Sequence, residues 1–349
     1  TGAYEENYYY QGEAFQLGEL EEQLKKNSSG GVMSRQYRTV TGSASAPWVR
    51  NLTLLDQYDC SGDATCKQSQ KGYAYDTYGN LTKLTEFGEV DTVLTGDERT
   101  TTTTFNYNTT NYLVSFPSVT TVTQGTTGTG TQLKQNRKYY DNGLLTVAPT
   151  KGDVTRTEDW LNTNSSYVAS TATYDSFGNV LTSTDPVNNT TTTTWDAAGL
   201  FPLTVKNALN QTQSTTWNPA CGVQLTATDL NSSVTSWTYD ALCRRTKESR
   251  PDGGWTDFAY VGYGSPSAQY NKTTINNGVA SSRWTSSYFD GLFREWQSVN
   301  NVSETSETTY DARGLIGTVS APYKPAETKK FTTFAYDAIR RPVLITNPD

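Results

Sequence analysis

Tyr174-Asp175-Ser-Phe-Gly178 opens a run of four related phrases that extends to Arg245. The other three phrases are Trp195-Asp196-Ala-Ala-Gly199, Trp217-Asn218-Pro-Ala-Cys221 and Tyr239-Asp240-Ala-Leu-Cys243. Their aromatic residues are 21, 22 and 22 positions apart (195−174, 217−195, 239−217). A repeat of this length corresponds to one supersecondary unit, which buries its surface only by stacking on its neighbours.

The residue types within the phrase predict a turn. An Asp followed three positions later by Gly is typical of a type I turn, because the Asp side chain bonds its own backbone and Gly tolerates positive φ. An aromatic residue before the Asp suits the end of a half-buried strand. Each repeat is therefore predicted to be a strand, a tight turn and a second strand.

The same phrase also occurs outside this window, at Tyr75-Asp76-Thr-Tyr-Gly79, Tyr140-Asp141-Asn-Gly143, Phe289-Asp290-Gly-Leu-Phe293, Tyr310-Asp311-Ala-Arg-Gly314 and Tyr336-Asp337-Ala-Ile-Arg340. This set of nine phrases resembles the Rhs, or YD-repeat, family, which includes bacterial polymorphic toxins, the cocoon subunits of insecticidal toxin complexes, and animal teneurins. The resemblance covers residues 55–349, and the stretch Gly96-Asp97-Glu98 to Tyr140-Asp141 resembles the lead-in to the repeats of the insecticidal branch.

The resemblance implies an all-β chain of tandem hairpins in one long, curling or spiralling antiparallel sheet, part of a hollow shell around a toxic C-terminal segment. Three positions depart from the family pattern, because Cys243, Phe293 and Arg340 stand where the family most often has Gly. A non-Gly residue in the left-handed region costs about 1 kcal/mol or more. Either these turns differ in type or they tolerate that strain.

Composition indicates a β-protein without a thick core. Hydrophobic residues make up only 34 % and charged residues 18 % of the chain. A net charge of −7 without a polybasic run argues against a nucleic-acid partner. No apolar run approaches the roughly 20 residues of a membrane span. The chain does not begin with Met, so we expect a piece of a longer polypeptide or a processed product, secreted or at the cell surface.

The repeat pattern divides the chain into three segments. Residues 1–56 form an irregular lead-in with strands and one short helix candidate, in which Leu17, Leu20 and Leu24 share a helical face. Residues 57–145 carry irregular repeats with a loop-rich insertion, and residues 146–349 form the regular array.

Catalytic chemistry has few residues available to it. The chain contains no His, which excludes Ser-His-Asp and Cys-His catalysis, and it has no P-loop or dinucleotide fingerprint. A glycosidase-like carboxylate pair remains, but the repeated Asp residues are explained by turns. Self-cleavage in the resembling family uses Asp-Pro-Xaa-Gly, whereas Asp185-Pro186 is followed by Val187 and Asn188. We expect no enzymatic activity, no cofactor and no metal site.

The four cysteines fall into two separated pairs. Cys60 and Cys66 flank five residues, and opposed residues at a hairpin mouth have Cα atoms about 4.5–5.5 Å apart, within disulfide reach. Cys221 and Cys243 hold the same position in consecutive repeats, which places them two strands, about 9–10 Å, apart. We therefore predict a Cys60–Cys66 disulfide, which implies an oxidising compartment, and free thiols at Cys221 and Cys243.

By resemblance, the chain is a structural wall segment of a shell that encloses an effector segment of a larger secreted protein. Its partners would be flanking segments of that polypeptide, the enclosed effector, or other copies that pair with unpaired terminal strands. The alternative is a secreted or cell-surface adhesin that binds glycans through repeat loops and aromatic residues. A carboxylate-pair glycosidase is a third and weaker reading.

Overall fold

The computed structural model describes residues 2–13, 16–43, 49–60, 66–90, 96–266, 268–278 and 281–348. Two compact units divide the chain, Thr1–Thr192 and Thr193–Asp349. Strands account for the regular structure of both units, and the described residues contain no helix. The five residues predicted to form the Cys60–Cys66 turn lie outside the described ranges.

Thirteen strands begin within the described part of the first unit. They are β1 (Tyr4–Tyr9), β2 (Leu20–Lys26), β3 (Val32–Gly42), β4 (Arg50–Cys60), β5 (Cys66–Tyr75), β6 (Leu81–Glu89), β7 (Arg99–Asn108), β8 (Leu113–Gln124), β9 (Gln132–Tyr140), β10 (Val154–Leu161), β11 (Ser166–Tyr174), β12 (Val180–Thr184) and β13 (Thr190–Trp195). Consecutive strands pair antiparallel from β1 to β13.

The second unit continues the same pattern with shorter strands. They are β14 (Pro202–Lys206), β15 (Thr212–Asn218), β16 (Val223–Thr228), β17 (Val234–Tyr239), β18 (Arg245–Ser249), β19 (Trp255–Val261), β20 (Tyr270–Asn276), β21 (Arg283–Phe289), β22 (Glu295–Asn300), β23 (Thr305–Tyr310), β24 (Ile316–Ser320), β25 (Phe331–Tyr336) and β26 (Pro342–Thr346). Each pairs antiparallel with its successor. The chain is all-β and built of successive hairpins, as the sequence predicts.

Strand pairing is more extensive within a hairpin than between hairpins. β17 and β18 remain paired to the turn, where a register shift between Thr238 and Tyr239 marks a bulge beside the aromatic residue. β16 and β17, which belong to different hairpins, pair only at three positions and stop at Thr226 and Ser236. The hairpins that meet at β16 and β17 are therefore joined by backbone hydrogen bonds at only one end of their strands, and several other junctions in the array likewise have three pairs.

The interior is as thin as the composition indicates. Among the described residues, the buried hydrophobic side chains are few, and all belong to the first unit: Val40, Cys60, Val114 and Tyr140. Buried positions elsewhere are occupied by polar side chains such as Gln269, Ser286 and Ser320. A sheet with so little apolar burial gains its stability from its hydrogen-bonded ladder and from contacts between neighbouring hairpins.

The predicted helix in the lead-in is wrong. Leu20 and Leu24 lie in β2, which pairs with β1 on one side and β3 on the other. The segment fits a strand as well as a helix, because residues four apart also share a face at a period of two. Pairing on both edges satisfies its backbone groups, so the tertiary context overrides the helical charge spacing.

Candidate functional site: the rim of repeat turns

The Asp240 turn shows how the repeated phrase folds. The backbone amide of Cys243 donates to the Asp240 carbonyl at 3.0 Å, and the Asp240 amide donates to the Arg244 carbonyl at 2.9 Å. The carboxylate oxygen Oδ1 accepts the amides of Leu242 and Arg244, both at 2.9 Å. This is a type I turn followed by a left-handed residue, a common hairpin connection. The Asp therefore organises its own turn.

Five further repeat aspartates bind the amides two and four residues later in the same way. They are Asp76, Asp175, Asp290, Asp311 and Asp337. The predicted glycines that follow have positive φ values, 84° at Gly79, 86° at Gly178 and 82° at Gly314. The structure thus places these site residues at turns between strands. Within each unit these turns lie at the same ends of the antiparallel strands, and we call this row of strand ends the aromatic rim.

The turns without Gly keep the same geometry. Cys243, Phe293 and Arg340 have φ values of 61°, 60° and 70°. Each donates its amide to the carbonyl of the preceding repeat Asp, as the glycines do. Of the two possibilities that the sequence left open, the structure therefore shows a retained turn type with tolerated left-handed strain.

Two repeats of the phrase have turns of a different length. At Trp195-Asp196 the turn is one residue longer, since the Asp196 amide donates to the Phe201 carbonyl at 2.9 Å and Gly199 is left-handed. At Trp217-Asn218 the turn closes between the Gly222 amide and the Asn218 carbonyl at 2.9 Å. Both segments still connect the two strands of a hairpin, but the number of turn residues differs from that of the Asp240 turn.

The type I turn predicted at Tyr140-Asp141 is wrong. The Gly143 amide donates to the Tyr140 carbonyl at 2.7 Å, but Asp141 and Asn142 both have positive φ. Two left-handed central residues define a type I′ turn. The cause is the Asp141 carboxylate, which accepts the amides of all four residues 150–153 at 2.6–3.2 Å. Asp141 anchors a long loop instead of a tight hairpin.

That loop borders a polar cavity of about 320 Å³ at the aromatic rim. Its acidic lining residues are Asp141, Asp153 and Asp175. The carboxylates of Asp141 and Asp175 are already occupied by backbone amides of their own loops. Among the described residues no group of three or more Cys, Asp or Glu side chains is arranged to hold a metal ion.

Arginine follows the Asp turn in three repeats and pairs with it. The Arg244 guanidinium lies 2.7 Å from Asp240 Oδ2, and Arg294 and Arg341 make the same i,i+4 contact. The backbone amide four residues later and these guanidinium groups hold the pKa of each of the three aspartates below its usual value. Aspartates with lowered pKa in a turn are stabilised anions, not proton donors, so they are poor candidates for general acids.

The repeat aromatic links its hairpin to the preceding one. The Tyr239 hydroxyl donates to the carbonyl of Gln224 at 2.8 Å. Gln224 lies near the start of β16, beyond the last backbone pair between β16 and β17. The hydroxyl therefore supplies a hydrogen bond where the ladder between the two hairpins has ended, and we call this contact the aromatic latch.

The aromatic latch recurs along both units. A Tyr or Trp side chain at or next to the end of a strand donates to a backbone carbonyl of the preceding hairpin or loop at 2.8–3.1 Å. The pairs are Tyr75 to Leu52, Tyr140 to Pro117, Tyr174 to Val154, Trp217 to Pro202, Tyr310 to Glu295 and, outside the nine phrases, Tyr260 to Arg245. Arg244 and Arg294 also stack 4.3 Å from the ring centroids of Tyr260 and Tyr310. The aromatic residues thus hold consecutive repeats together.

A second row of turns lies at the other ends of the strands, here called the opposite rim, and the sequence argument missed it. Asp185, Asn207 and Asp229 each accept the amides two and four residues later, at 2.8–3.0 Å. Asn188, Asn210 and Ser232 take the left-handed positions, with φ of 63–67°. The signal was present at Asn188 and Asn210, because Asn is enriched several-fold among the non-Gly residues that adopt this conformation.

Both cysteine pairs form disulfides. Cys60 is bonded to Cys66, with Cα atoms 4.2 Å apart. The prediction of free thiols at Cys221 and Cys243 is wrong, since these residues form a second disulfide with Cα atoms 5.6 Å apart. Equal sequence offsets concealed unequal turns: Cys243 is itself left-handed, whereas Cys221 precedes the left-handed Gly222. The turns approach each other while each repeat still contributes two strands.

No helix in the described residues is long and apolar enough to cross a membrane. No family model matches the sequence, and neither does any curated protein. Solved structures do match. The TcdB2-TccC3 crystal structure aligns with 95 % of this chain and 25 % of its own, with a TM-score of 0.59 and 12 % identity. TcdB2-TccC3 without its hypervariable C-terminal region aligns with 94 % of this chain and 27 % of its own, with a TM-score of 0.58 and 11 % identity.

The complex TcdB2-TccC3-Cdc42 gives a TM-score of 0.59 at 10 % identity, over 94 % of this chain and 27 % of its own. The chain therefore spans about a quarter of the length of the proteins it matches. At this identity the similarity concerns the fold. It shows that nearly the whole chain shares its fold with part of these proteins.

Proposed function

We propose that this chain is a wall segment of an Rhs/YD-repeat shell that encloses a toxic or effector segment of a larger secreted protein, and that it catalyses no reaction. The observation that carries this proposal is the aromatic latch, which joins neighbouring hairpins at seven places in the described part of the chain. A sheet built in this way extends by adding hairpins and needs no thick core. Such a sheet can separate two spaces.

The placement of the carboxylates supports a role without turnover. Asp240, Asp290 and Asp337 are each bound by two backbone amides and one arginine. A carboxylate that serves as a nucleophile or a general base needs a free oxygen directed at its substrate. In these three turn aspartates both carboxylate oxygens already accept hydrogen bonds from their own turn.

The fold of the neighbours supports the shell in particular. One of the matched structures, TcdB2-TccC3, is described by the absence of a hypervariable C-terminal region. We extend that arrangement to this chain, which would then be one stretch of wall around a variable segment. Oxidising conditions, to which the two disulfides point, agree with a secreted protein.

The adhesin alternative finds less support in the aromatic residues. The Trp217 indole is stacked on Phe201 with ring centroids 5.0 Å apart, and its N–H binds the Pro202 carbonyl. The Trp237 indole donates to Glu248 at 3.0 Å. Rings engaged in this way are not free to form a sugar-binding platform. A glycan-binding screen of the chain tests this, and saturable binding lost on changing exposed aromatic residues such as Tyr112 and Phe177 would favour the adhesin.

Protease protection of the natural polypeptide tests the shell. We expect its variable segment to resist digestion while the shell is folded and to be cleaved once the shell is opened by denaturant. A parallel digest of the excised variable segment provides the control. Equal cleavage of the enclosed and excised segments would exclude a closed wall, and hydrolase activity lost on changing one Asp pair in a folded chain would favour an enzyme.

A further inference from the structure

The Cys221–Cys243 disulfide closes one junction between consecutive hairpins. It joins the turn between β15 and β16 to the turn between β17 and β18, on the aromatic rim. On the opposite rim the two inner strands, β16 and β17, are joined by a turn in which the Asp229 amide donates to the Ser233 carbonyl at 3.0 Å. The disulfide and this turn therefore hold the β16–β17 junction at its two ends.

Between these two ends the backbone ladder is short. β16 and β17 form three pairs, from Thr228 opposite Val234 to Thr226 opposite Ser236, and all three lie next to the turn on the opposite rim. Nearer the aromatic rim, the Tyr239 latch and the disulfide connect the two hairpins. Once the disulfide is broken, the latch is the hydrogen bond that remains at the aromatic-rim end of this junction in the described residues.

Two other junctions of the second unit are built without a disulfide. The β18–β19 and β22–β23 junctions also have three backbone pairs and a latch, made by Tyr260 and Tyr310. There the guanidinium groups of Arg244 and Arg294 lie 4.3 Å from the centroids of these two rings. Among the described residues no cation lies over the Tyr239 ring. The disulfide thus takes the place of a cation–π contact at the β16–β17 junction.

A thiol in solution can reach this disulfide. Cys221 and Cys243 are half-buried, and the turn residues beside them, Gly222 and Leu242, are exposed. A Cβ atom added at Gly222 would meet no atom within 4 Å, so there is open space beside Cys221. In the other disulfide, by contrast, Cys60 is only 1 % exposed. Exposed disulfides are the labile or regulatory ones, because an attacking thiolate must reach a sulfur atom.

We propose that the Cys221–Cys243 disulfide undergoes thiol–disulfide exchange in the folded chain, with a dithiol reductant as its co-substrate, and that this reaction releases the β16–β17 junction at the aromatic rim. The inference rests on the proposed function and adds a condition under which the wall loosens. Under oxidising conditions the bond holds the junction closed. In a reducing compartment, where dithiol reductants keep thiols reduced, the junction opens about the turn on the opposite rim.

The exchange proceeds in two steps through a mixed disulfide. One thiolate of the reductant attacks the Cys221 sulfur from the open side, the S–S bond breaks, and the Cys243 sulfur leaves as a thiolate that takes up a proton. The second thiolate of the reductant then attacks the reductant's own sulfur in the mixed disulfide, and Cys221 leaves as a thiolate that is protonated in turn. The protein gains two electrons and two protons, and the dithiol ends as a disulfide.

Thiol trapping in the folded 349-residue chain tests the reaction. Dithiothreitol is added without denaturant, and the new thiols are alkylated with iodoacetamide and located by peptide mapping, while circular dichroism confirms that the chain stays folded. We expect Cys221 and Cys243 to be alkylated at a rate proportional to the dithiothreitol concentration, at least ~10-fold faster than Cys60 and Cys66. Equal rates at the two disulfides, or a rate independent of the dithiothreitol concentration, would overturn the proposal, because unfolding would then limit access.

Hydrogen exchange of the reduced and alkylated chain tests the release of the junction. Amides of β16 and β17 should exchange at least ~10-fold faster than in the oxidised chain, whereas β22 and β23, which keep their arginine contact, should not change. The variant Cys221→Ser/Cys243→Ser should show the same faster exchange without an alkyl adduct. Unchanged exchange in β16 and β17 would overturn the release. Protease protection of the natural polypeptide tests the shell separately, so either idea can fail while the other stands.

Discussion

The Cys221–Cys243 disulfide joins the turns of two consecutive hairpins, and its removal is the most informative perturbation. The variant Cys221→Ser/Cys243→Ser deletes the covalent link and leaves each turn with a side chain of similar size. The matched control is Cys60→Ser/Cys66→Ser, which removes a disulfide within a single hairpin. Both variants replace one disulfide with two serine side chains, so they differ only in which parts of the chain lose their covalent connection.

The number of residues that each disulfide encloses determines how much its removal should lower the free energy of unfolding. The residues of the two bonds are 22 and 6 positions apart in sequence. With the loop-closure relation, the longer bond contributes about 3.4 kcal/mol at 25 °C and the shorter one about 2.2 kcal/mol. Only three backbone pairs join β16 to β17, so removal of the Cys221–Cys243 disulfide should destabilise that junction.

Native-state hydrogen exchange measures this junction directly, because repeat chains open locally and need not unfold in a single step. We expect amides of β16 and β17 to lose protection in the Cys221→Ser/Cys243→Ser variant, while β20 and β21 change little. The Cys60→Ser/Cys66→Ser variant should lose protection in β4 and β5 instead. Unchanged protection in β16 and β17 would refute the argument that the disulfide compensates for a short junction.

Three further outcomes can be measured on the same chain. Tyr239→Phe removes one aromatic latch and should lower the free energy of unfolding in urea titration by about 1 kcal/mol. The control Tyr112→Phe changes an exposed tyrosine and should have no measurable effect. Equal urea midpoints for these two variants would contradict the latch. Gly314→Val forces a β-branched residue to a φ of 82° and should cost more than ~1 kcal/mol, against little change for Gly2→Val, where an added Cβ meets no atom. The turn aspartates Asp240, Asp290, Asp311 and Asp337 have lowered pKa values in the folded state. Their contribution to stability is therefore complete above about pH 4 and is lost as the pH falls through the lowered pKa values. A Tm that stays constant from about pH 5 to pH 2 would contradict this.

The hairpins were predictable because their signal is local. An aromatic residue, an Asp and a residue three positions later define both the strand end and the turn, and Asp240 and Asp311 fold as that pattern predicts. The same local logic failed for residues 17–24, where leucine spacing fits two periods and only pairing with β1 and β3 decides between them.

The contacts between repeats could not be predicted from the repeated sequence phrase. The Cys221–Cys243 bond depends on a turn that closes one residue later at Gly222, a detail that equal sequence offsets conceal. The acceptor of the Tyr239 latch is a backbone carbonyl, which every residue possesses, so no residue type in the sequence marks it. Cavity-lining Asp141 was assigned to a tight hairpin because nothing in its phrase announces the long loop that it binds.

The aromatic latch has a consequence for how such a chain can change over time. Its acceptors are backbone carbonyls of chemically unrelated residues, among them Leu52, Val154, Gln224 and Glu295. A newly duplicated hairpin therefore meets a compatible neighbour wherever it is inserted, because the donor never has to recognise a particular side chain. Gene duplication, deletion and recombination in whole-hairpin steps would alter the length of the sheet and preserve the junctions that rely on a latch. Sequences could then diverge widely at the acceptor positions while the architecture is inherited unchanged.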